Sequence, residues 1–290
     1  MSIIINNSSK IAVQGAAGVE GQFHMSEMIK YGTKIVAGID PAFQTSKVGD
    51  LDVPAYTTLK EAVEKHNADT SLIFVPAPFA YDAIMEAIYC GIKKIIVITE
   101  GIPVNDMMKI KQYTKNSDII IVGPNCPGLI TPDECKAGIL PGHIFKKGPI
   151  GVISRSGTLT YEIVQHLTEA GLGQSTCVGI GGDPVQGSTF VDILKMFNAD
   201  AETKAVVMLG EIGGVEEEKA AAYIRDHFTK PVAAFIAGKS APPGKTMGHA
   251  GAIISAGKGT AEAKISALKE AGVKVAAIPD DIAELIKSAL

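Results

Sequence analysis

Short runs of β-forming residues alternate with helical stretches along residues 1–124, and this alternation limits what the chain can fold into more than any other feature. Strand signals fall at 10–14, 34–39, 70–75, 94–98 and 118–122, with helical stretches at 22–30, 81–90 and 104–115 between them. Strands separated by helices cannot pair as hairpins. They lie parallel, and the crossovers cover both faces of the sheet. The pattern resumes later, with strands at 150–153, 174–179, 205–209, 232–237 and 273–276 and helices near 159–170, 190–198, 215–227, 261–271 and 282–290. Between the two series, Pro127, Gly128, Pro132, Gly138, Pro141, Gly142 and Gly148 crowd residues 125–148 and break both periodicities. The expectation is an α/β chain of two doubly wound domains, 1–124 and 149–290, joined by a linker at 125–148. With 290 residues, 46% of them hydrophobic, two cores are within reach.

Composition then removes several function classes. A net charge of -4 supplies no basic stripe for nucleic acid. Cys90, Cys126, Cys135 and Cys177 form no C-x-x-C pair, so neither a zinc ribbon nor a dithiol redox site is expected. Residues 1–10 carry neither a long apolar run nor an Arg-rich leader, so the expected setting is the cytoplasm, with no membrane association.

Parallel sheets bind ligands at the carboxyl ends of their strands, and the informative residues gather there. Gly15-Ala16-Ala17-Gly18-Val19-Glu20-Gly21 follows the first strand. Its glycines permit close backbone approach, and the helix start offers free N–H groups to a phosphate. The spacing is not that of the dinucleotide fingerprint, and an ordinary tight turn is the competing explanation. Asp40 ends the second strand, where a carboxylate suits a ribose hydroxyl. Ser156 and Gly157 open a helix with good capping residues beside Arg155, a second anion site, and Tyr161 stands one turn in. His249 lies between Gly248 and Gly251 with no bulky neighbour, an arrangement that displays an imidazole or merely makes a turn. Glu211, at a strand end and beside glycine, could hold one ring nitrogen of His249 and raise the basicity of the other, or simply favour the following helix start. Four of the other histidines, His24, His66, His166 and His227, are expected on surfaces or at helix ends, and His143, in the linker, is expected to be structural. Gly238-Lys239-Ser240 and Gly244-Lys245-Thr246 look like P-loop endings, but neither has the opening glycine, and Pro242-Pro243 would spoil a backbone cradle.

Five segments, taken in order, resemble the α subunits of succinyl-CoA synthetases. They are Val75-Pro76-Ala77-Pro78-Phe79, Gly123-Pro124-Asn125-Cys126-Pro127-Gly128, Ser154-Arg155-Ser156-Gly157-Thr158-Leu159-Thr160-Tyr161, Gly210-Glu211-Ile212-Gly213-Gly214 and Gly248-His249-Ala250-Gly251-Ala252-Ile253-Ile254. The resemblance runs from Lys10 through the rest of the chain. It implies a CoA-binding Rossmann-like domain followed by a flavodoxin-like ligase domain. It also implies that His249 becomes phosphorylated, that Glu211 steadies its ring, that Ser156 and Gly157 start the helix receiving the phosphate, and that Tyr161 lies at the substrate site. Ala17, Gly18, Val19 and Glu20 then correspond to the CoA phosphate loop, and Pro76, Ile98, Thr99, Glu100 and Asn125 to further CoA contacts. Phe43 stands where the family contacts CoA through a lysine, with Lys47 as the candidate replacement, and Thr246 stands where the family has an arginine.

The implied partner is a β subunit, in an αβ or α2β2 assembly, that holds ATP or GTP with Mg; no metal site is expected on this chain. The implied reaction is reversible and belongs to the tricarboxylic acid cycle. It passes phosphate from the nucleotide to His249, then to succinate as succinyl phosphate, whose acyl group goes to the CoA thiol. Two other readings are a subunit of a related acyl-CoA ligase acting on malate, and a non-catalytic NAD-binding module suggested by the glycine turn and Asp40.

Overall fold

The computed structural model describes residues 2–242, 244–255 and 257–290; Pro243, one of the two prolines counted against a P-loop, lies outside them. The first half contains β1 (Ile11–Gln14), α1 (Val19–Lys30), β2 (Ile35–Ile39), β3 (Ala55–Tyr56), α2 (Leu59–His66), β4 (Thr70–Ile73), α3 (Ala77–Tyr89), β5 (Lys94–Val97), α4 (Val104–Thr114) and β6 (Ile120–Val122). Its six strands are all parallel in the order β3-β2-β1-β4-β5-β6, the Rossmann order, which reverses direction between β1 and β4. β3 and α2 carry little sequence signal. β3 has two residues, and α2 buries only Leu59 and Ala62.

The second half contains β7 (Gly128–Thr131), β8 (Cys135–Gly138), β9 (Lys147–Ser154), α5 (Gly157–Glu169), β10 (Gln174–Gly179), α6 (Phe190–Ala199), β11 (Ala205–Glu211), α7 (Glu216–His227), β12 (Val232–Ala237), α8 (Ala261–Glu270), β13 (Lys274–Val275) and α9 (Ile282–Lys287). Its sheet runs β13-β12-β11-β9-β10-β7-β8. The five parallel strands follow the flavodoxin order, with the reversal between β9 and β11.

The segment 125–148 differs from the linker expected there. β7 and β8 form an antiparallel hairpin that joins the second sheet beside β10, and all eight of its residues are buried. Turn formers mark its corners rather than a loose connection. The hairpin is clamped to the first half by side chains that satisfy buried backbone groups. Thr33 Oγ1 donates to the Lys136 carbonyl at 2.8 Å and accepts the Lys136 N–H at 3.0 Å, and Thr131 Oγ1 donates to the Ile5 carbonyl at 2.8 Å. One apolar cluster runs from Val13 and Leu72 through Val122, Cys126 and Leu129 to Ile153 and Val178, so the two sheets share a core. His24 also departs from the surface position expected of it, since its ring stacks on Phe74 at 5.6 Å. Among the described residues no helix is long and apolar enough to cross a membrane.

Thr33→Val keeps the shape of the buried side chain but leaves the Lys136 N–H and carbonyl without a partner. It should lower unfolding stability by about 1–3 kcal/mol in urea titrations. A loss within about 0.3 kcal/mol, the scatter of ordinary additivity, would mean that the hairpin does not depend on this clamp.

Candidate functional site

The second sheet reverses direction between β9 and β11, so a crevice opens at the carboxyl ends of these two strands. β9 and β11 pair in register as far as Ser154 and Leu209. Just beyond, the chain places Arg155 and Ser156 on one side of the crevice and Glu211 on the other. The loop after β12 brings His249 across the top.

His249 Nδ1 lies 2.7 Å from Glu211 Oε2. An ionised carboxylate only accepts, so in the neutral ring Nδ1 carries the proton and Nε2 keeps the lone pair. The imidazole is a quarter exposed and the carboxylate 8% exposed. The Glu211 hydrogen bond holds His249 above the ordinary imidazole value; partial burial opposes it, the Glu211 charge adds to it, Arg155 opposes it and Glu100 adds to it.

Glu211 is itself held from behind. Arg155 Nε stands 3.3 Å from Glu211 Oε1, an ion pair without hydrogen-bond alignment, and Arg155 Nη1 stands 3.6 Å from Glu217 Oε1. Glu217 Oε1 accepts the backbone N–H of Glu211 at 3.2 Å. Lys264 Nζ then bonds Glu217 at 2.5 Å, Glu218 at 3.0 Å and the Gly214 carbonyl at 3.1 Å. Arg155, Glu217 and Lys264 are buried. Charges so enclosed are tolerable only when paired, and the pairing leaves Glu211 a single position.

Two glycines make room for the loop. A side-chain carbon on Gly182 would lie 2.2 Å from His249 Cγ and 2.4 Å from Nδ1, so the ring packs directly on this backbone. Gly213 has φ +93°, and a side chain there would strike the Gly251 carbonyl at 2.0 Å. Backbone bonds then tie the loop to the first half. Asn125 N–H donates to the Thr99 carbonyl at 2.8 Å, Gly182 N–H to the Asn125 carbonyl at 3.3 Å, and Gly251 N–H to the Gly182 carbonyl at 3.0 Å. Asn125 Nδ2 also donates to Asp183 Oδ1 at 3.0 Å. Burial pushes the Asp183 carboxyl up, Asn125 opposes this, Glu100 adds to it and His249 opposes it.

Ser156 caps α5, its hydroxyl accepting from Leu159 N–H at 3.3 Å, and Gly157 is the first helical residue. Tyr161 is half-buried, with its hydroxyl 3.7 Å from where a Gly157 side-chain carbon would stand, and burial pushes its phenol up. In the first half, Gly18 precedes α1, so Val19 and Glu20 belong to the first helical turn and are exposed, while Ala17 is half-buried. Pro76 caps α3. Ile98 and Phe43 pack against the apolar core, and Lys47 pairs with Asp52 at 2.5 Å.

The sequence reading left Gly182, Asp183, Glu217 and Lys264 out of the site. Gly182 and Asp183 had a signal in the Gly181-Gly182-Asp183-Pro184 turn at a strand end. Glu217 and Lys264 had none, because an acidic first helical turn and a helical lysine look like solvated faces.

Comparison with known proteins gives this geometry a family. Residues 6–101 match the CoA binding domain and residues 153–274 the CoA-ligase domain. The chain is 57% identical over 284 residues to the succinate–CoA ligase [ADP-forming] subunit alpha of Staphylococcus aureus (strain N315), covering 97% of this chain and 93% of that one. The chain belongs to the succinate–CoA ligase α-subunit family. The Aquifex aeolicus (strain VF5) member is 56% identical over 292 residues, covering 100% of this chain and 95% of its own. Among solved structures, an ATP citrate lyase from Methanosaeta concilii in complex with (3S)-citryl-CoA superposes with a TM-score of 0.87 at 25% identity. That match covers 98% of this chain, which spans half the length of the lyase.

For a member of this family, two measurements test the imidazole's surroundings. If His249 accepts a phosphoryl group, its labelling requires the neutral ring; because the Glu211 hydrogen bond raises the imidazole above its ordinary value, labelling should begin to fall at a higher pH than it would for an ordinary imidazole. Glu211→Gln removes the charge that raises this value, and the acid limb should move to lower pH; an unmoved limb would detach Glu211 from the ring. Gly182 has no unusual φ, so Gly182→Ala is free of backbone strain and acts by displacing the ring. Labelling should fall about a hundredfold with little change in melting.

Proposed function

We propose that this chain is the catalytic α subunit of a succinate–CoA ligase that carries phosphate on His249 Nε2. The observation that supports this most is the 2.7 Å contact between Nδ1 and Glu211, which leaves Nε2 of the neutral ring free to act as the nucleophile.

As phosphate is transferred to Nε2, the ring develops positive charge, and the Glu211 carboxylate stabilises it without moving. Arg155 stands behind Glu211 and pairs with it. The start of α5 at Ser156 and Gly157 offers backbone N–H groups and a helix dipole to an arriving phosphoryl group. Phosphohistidine then passes the group to a succinate carboxylate beside Tyr161, giving succinyl phosphate, whose acyl carbon accepts the CoA thiol while phosphate leaves. Transfer of this kind depends mainly on positioning and charge. The backbone ladder Thr99–Asn125–Gly182–Gly251 ties the first domain's strand ends to the phosphohistidine loop, which suits a thiol delivered from the CoA-binding half. Ala17, Gly18, Val19, Glu20, Phe43, Pro76, Ile98, Thr99, Glu100 and Asn125 are the residues proposed to meet CoA.

The nucleotide is proposed to sit with Mg on a β subunit, in an αβ or α2β2 assembly, since neither Gly-Lys segment here has P-loop spacing. ATP is favoured by the ADP-forming relatives. Four free cysteines, three of them buried, suit the cytoplasm.

The test is to co-express the chain with a candidate β subunit and add labelled ATP. An acid-labile label is expected on the α chain, absent from His249→Asn, and discharged by succinate and CoA faster than by malate and CoA. Label that survives acid, or that persists in His249→Asn, would refute the phosphohistidine. Faster discharge by malate would favour the related acyl-CoA ligase reading.

A further inference from the structure

Asp40 directly follows β2 in the first sheet, the place from which a carboxylate takes ribose hydroxyls in doubly wound nucleotide-binding domains. Two backbone groups fix its orientation: Ala42 N–H donates to Oδ1 at 2.9 Å, and Ala17 N–H donates to Oδ2 at 3.4 Å. The second donor belongs to the glycine turn after β1, so the carboxylate lies against the turn proposed to meet the cofactor's phosphates. Asp40 also borders a cavity of about 620 Å³ at the carboxyl edge of the sheet, together with Gly15, Pro41 and Pro76. Asp82 and Glu86 line the same cavity, and among the described residues no lysine or arginine does. Glu86 is already committed to Gln14 Nε2 at 2.9 Å and to the Leu59 N–H at 2.8 Å. The lysine nearest along this loop, Lys47, is paired with Asp52 at 2.5 Å.

A ribose diol donates hydrogen bonds to such a carboxylate. A phosphate monoester in the same place meets like charge with no cation to offset it. CoA carries a phosphate on the ribose 3′ oxygen, and dephospho-CoA carries a hydroxyl there. We propose that Asp40 makes this domain read the ribose of its thiol cofactor as a diol, so that the chain does not select for the 3′-phosphate and binds dephospho-CoA at least as tightly as CoA. This deepens the CoA-ligase reading and rests on it.

The test is calorimetric titration of the full chain, alone and with its β subunit, with CoA and with dephospho-CoA. The readout is the ratio of Kd for CoA to Kd for dephospho-CoA. Because both values come from the same preparation, partial unfolding does not bias the ratio. The expected ratio is one or greater, falling toward one as salt screens the repulsion. Asp40→Asn retains an acceptor oxygen but loses the charge, and should lower the ratio about tenfold; Asp40→Lys should lower it further. A ratio below one in the parent chain, or one that Asp40→Asn leaves unchanged, overturns the inference while leaving the CoA-ligase reading intact. Binding of neither thiol overturns both.

Discussion

The contact between Glu211 and His249 is the interaction on which the rest of the second domain depends. An imidazole is useful as a phosphoryl carrier only if one nitrogen is committed and the other is free. A 2.7 Å bond to a carboxylate makes that division. The carboxylate must itself be ionised, buried and motionless, and each of these conditions conflicts with the others unless further charges are supplied. Arg155, Glu217, Lys264 and Glu218 supply them, alternating in sign away from the ring. Such a row stabilises the fold weakly at best, because desolvation offsets most of the attraction. Its return is geometric: Glu211 has one place to be.

The fold supplies this arrangement through topology. β9 and β11 are neighbours in the sheet although β10 separates them in sequence, and their helices leave toward opposite faces. The ends of these two strands therefore stand side by side with open space above them. Arg155 and Glu211 are placed there by strand register, without any special local conformation. The histidine loop reaches the same place from β12, and it can lie flat only because Gly182 and Gly213 have no side chains in its path.

The two sheets are joined by the β7–β8 hairpin, which belongs to the second sheet while Thr33 and Ile5 of the first half bond to it. Their shared core gives the ladder from Thr99 to Gly251 a fixed length. The proposed transfer of an acyl group from phosphate to thiol needs the two binding halves held at a constant separation. Burial also pushes the Cys126 thiol up to about 12 and Cys135 up to about 11, so neither supplies a competing thiolate beside this junction.

Sequence alone determined the alternation of strand and helix, the parallel sheets, and the short motifs that hold Ser156, Glu211 and His249. These are local properties, written in periodicity and in the placement of glycine, and they survive without knowledge of what lies across the fold. Only the tertiary structure decided that residues 125–148 form part of a sheet, because turn formers look the same at the corners of a buried hairpin and in a loose connection. It also decided that Glu217 and Lys264 are interior charges, since a charged helical face shows no difference in sequence whether it meets water or a buried arginine. Asp40 lies between these cases. Its place just after β2 was legible, but that no lysine or arginine among the described residues lines the cavity it borders depends on where the loop from 41 to 54 turns, and that is settled by packing.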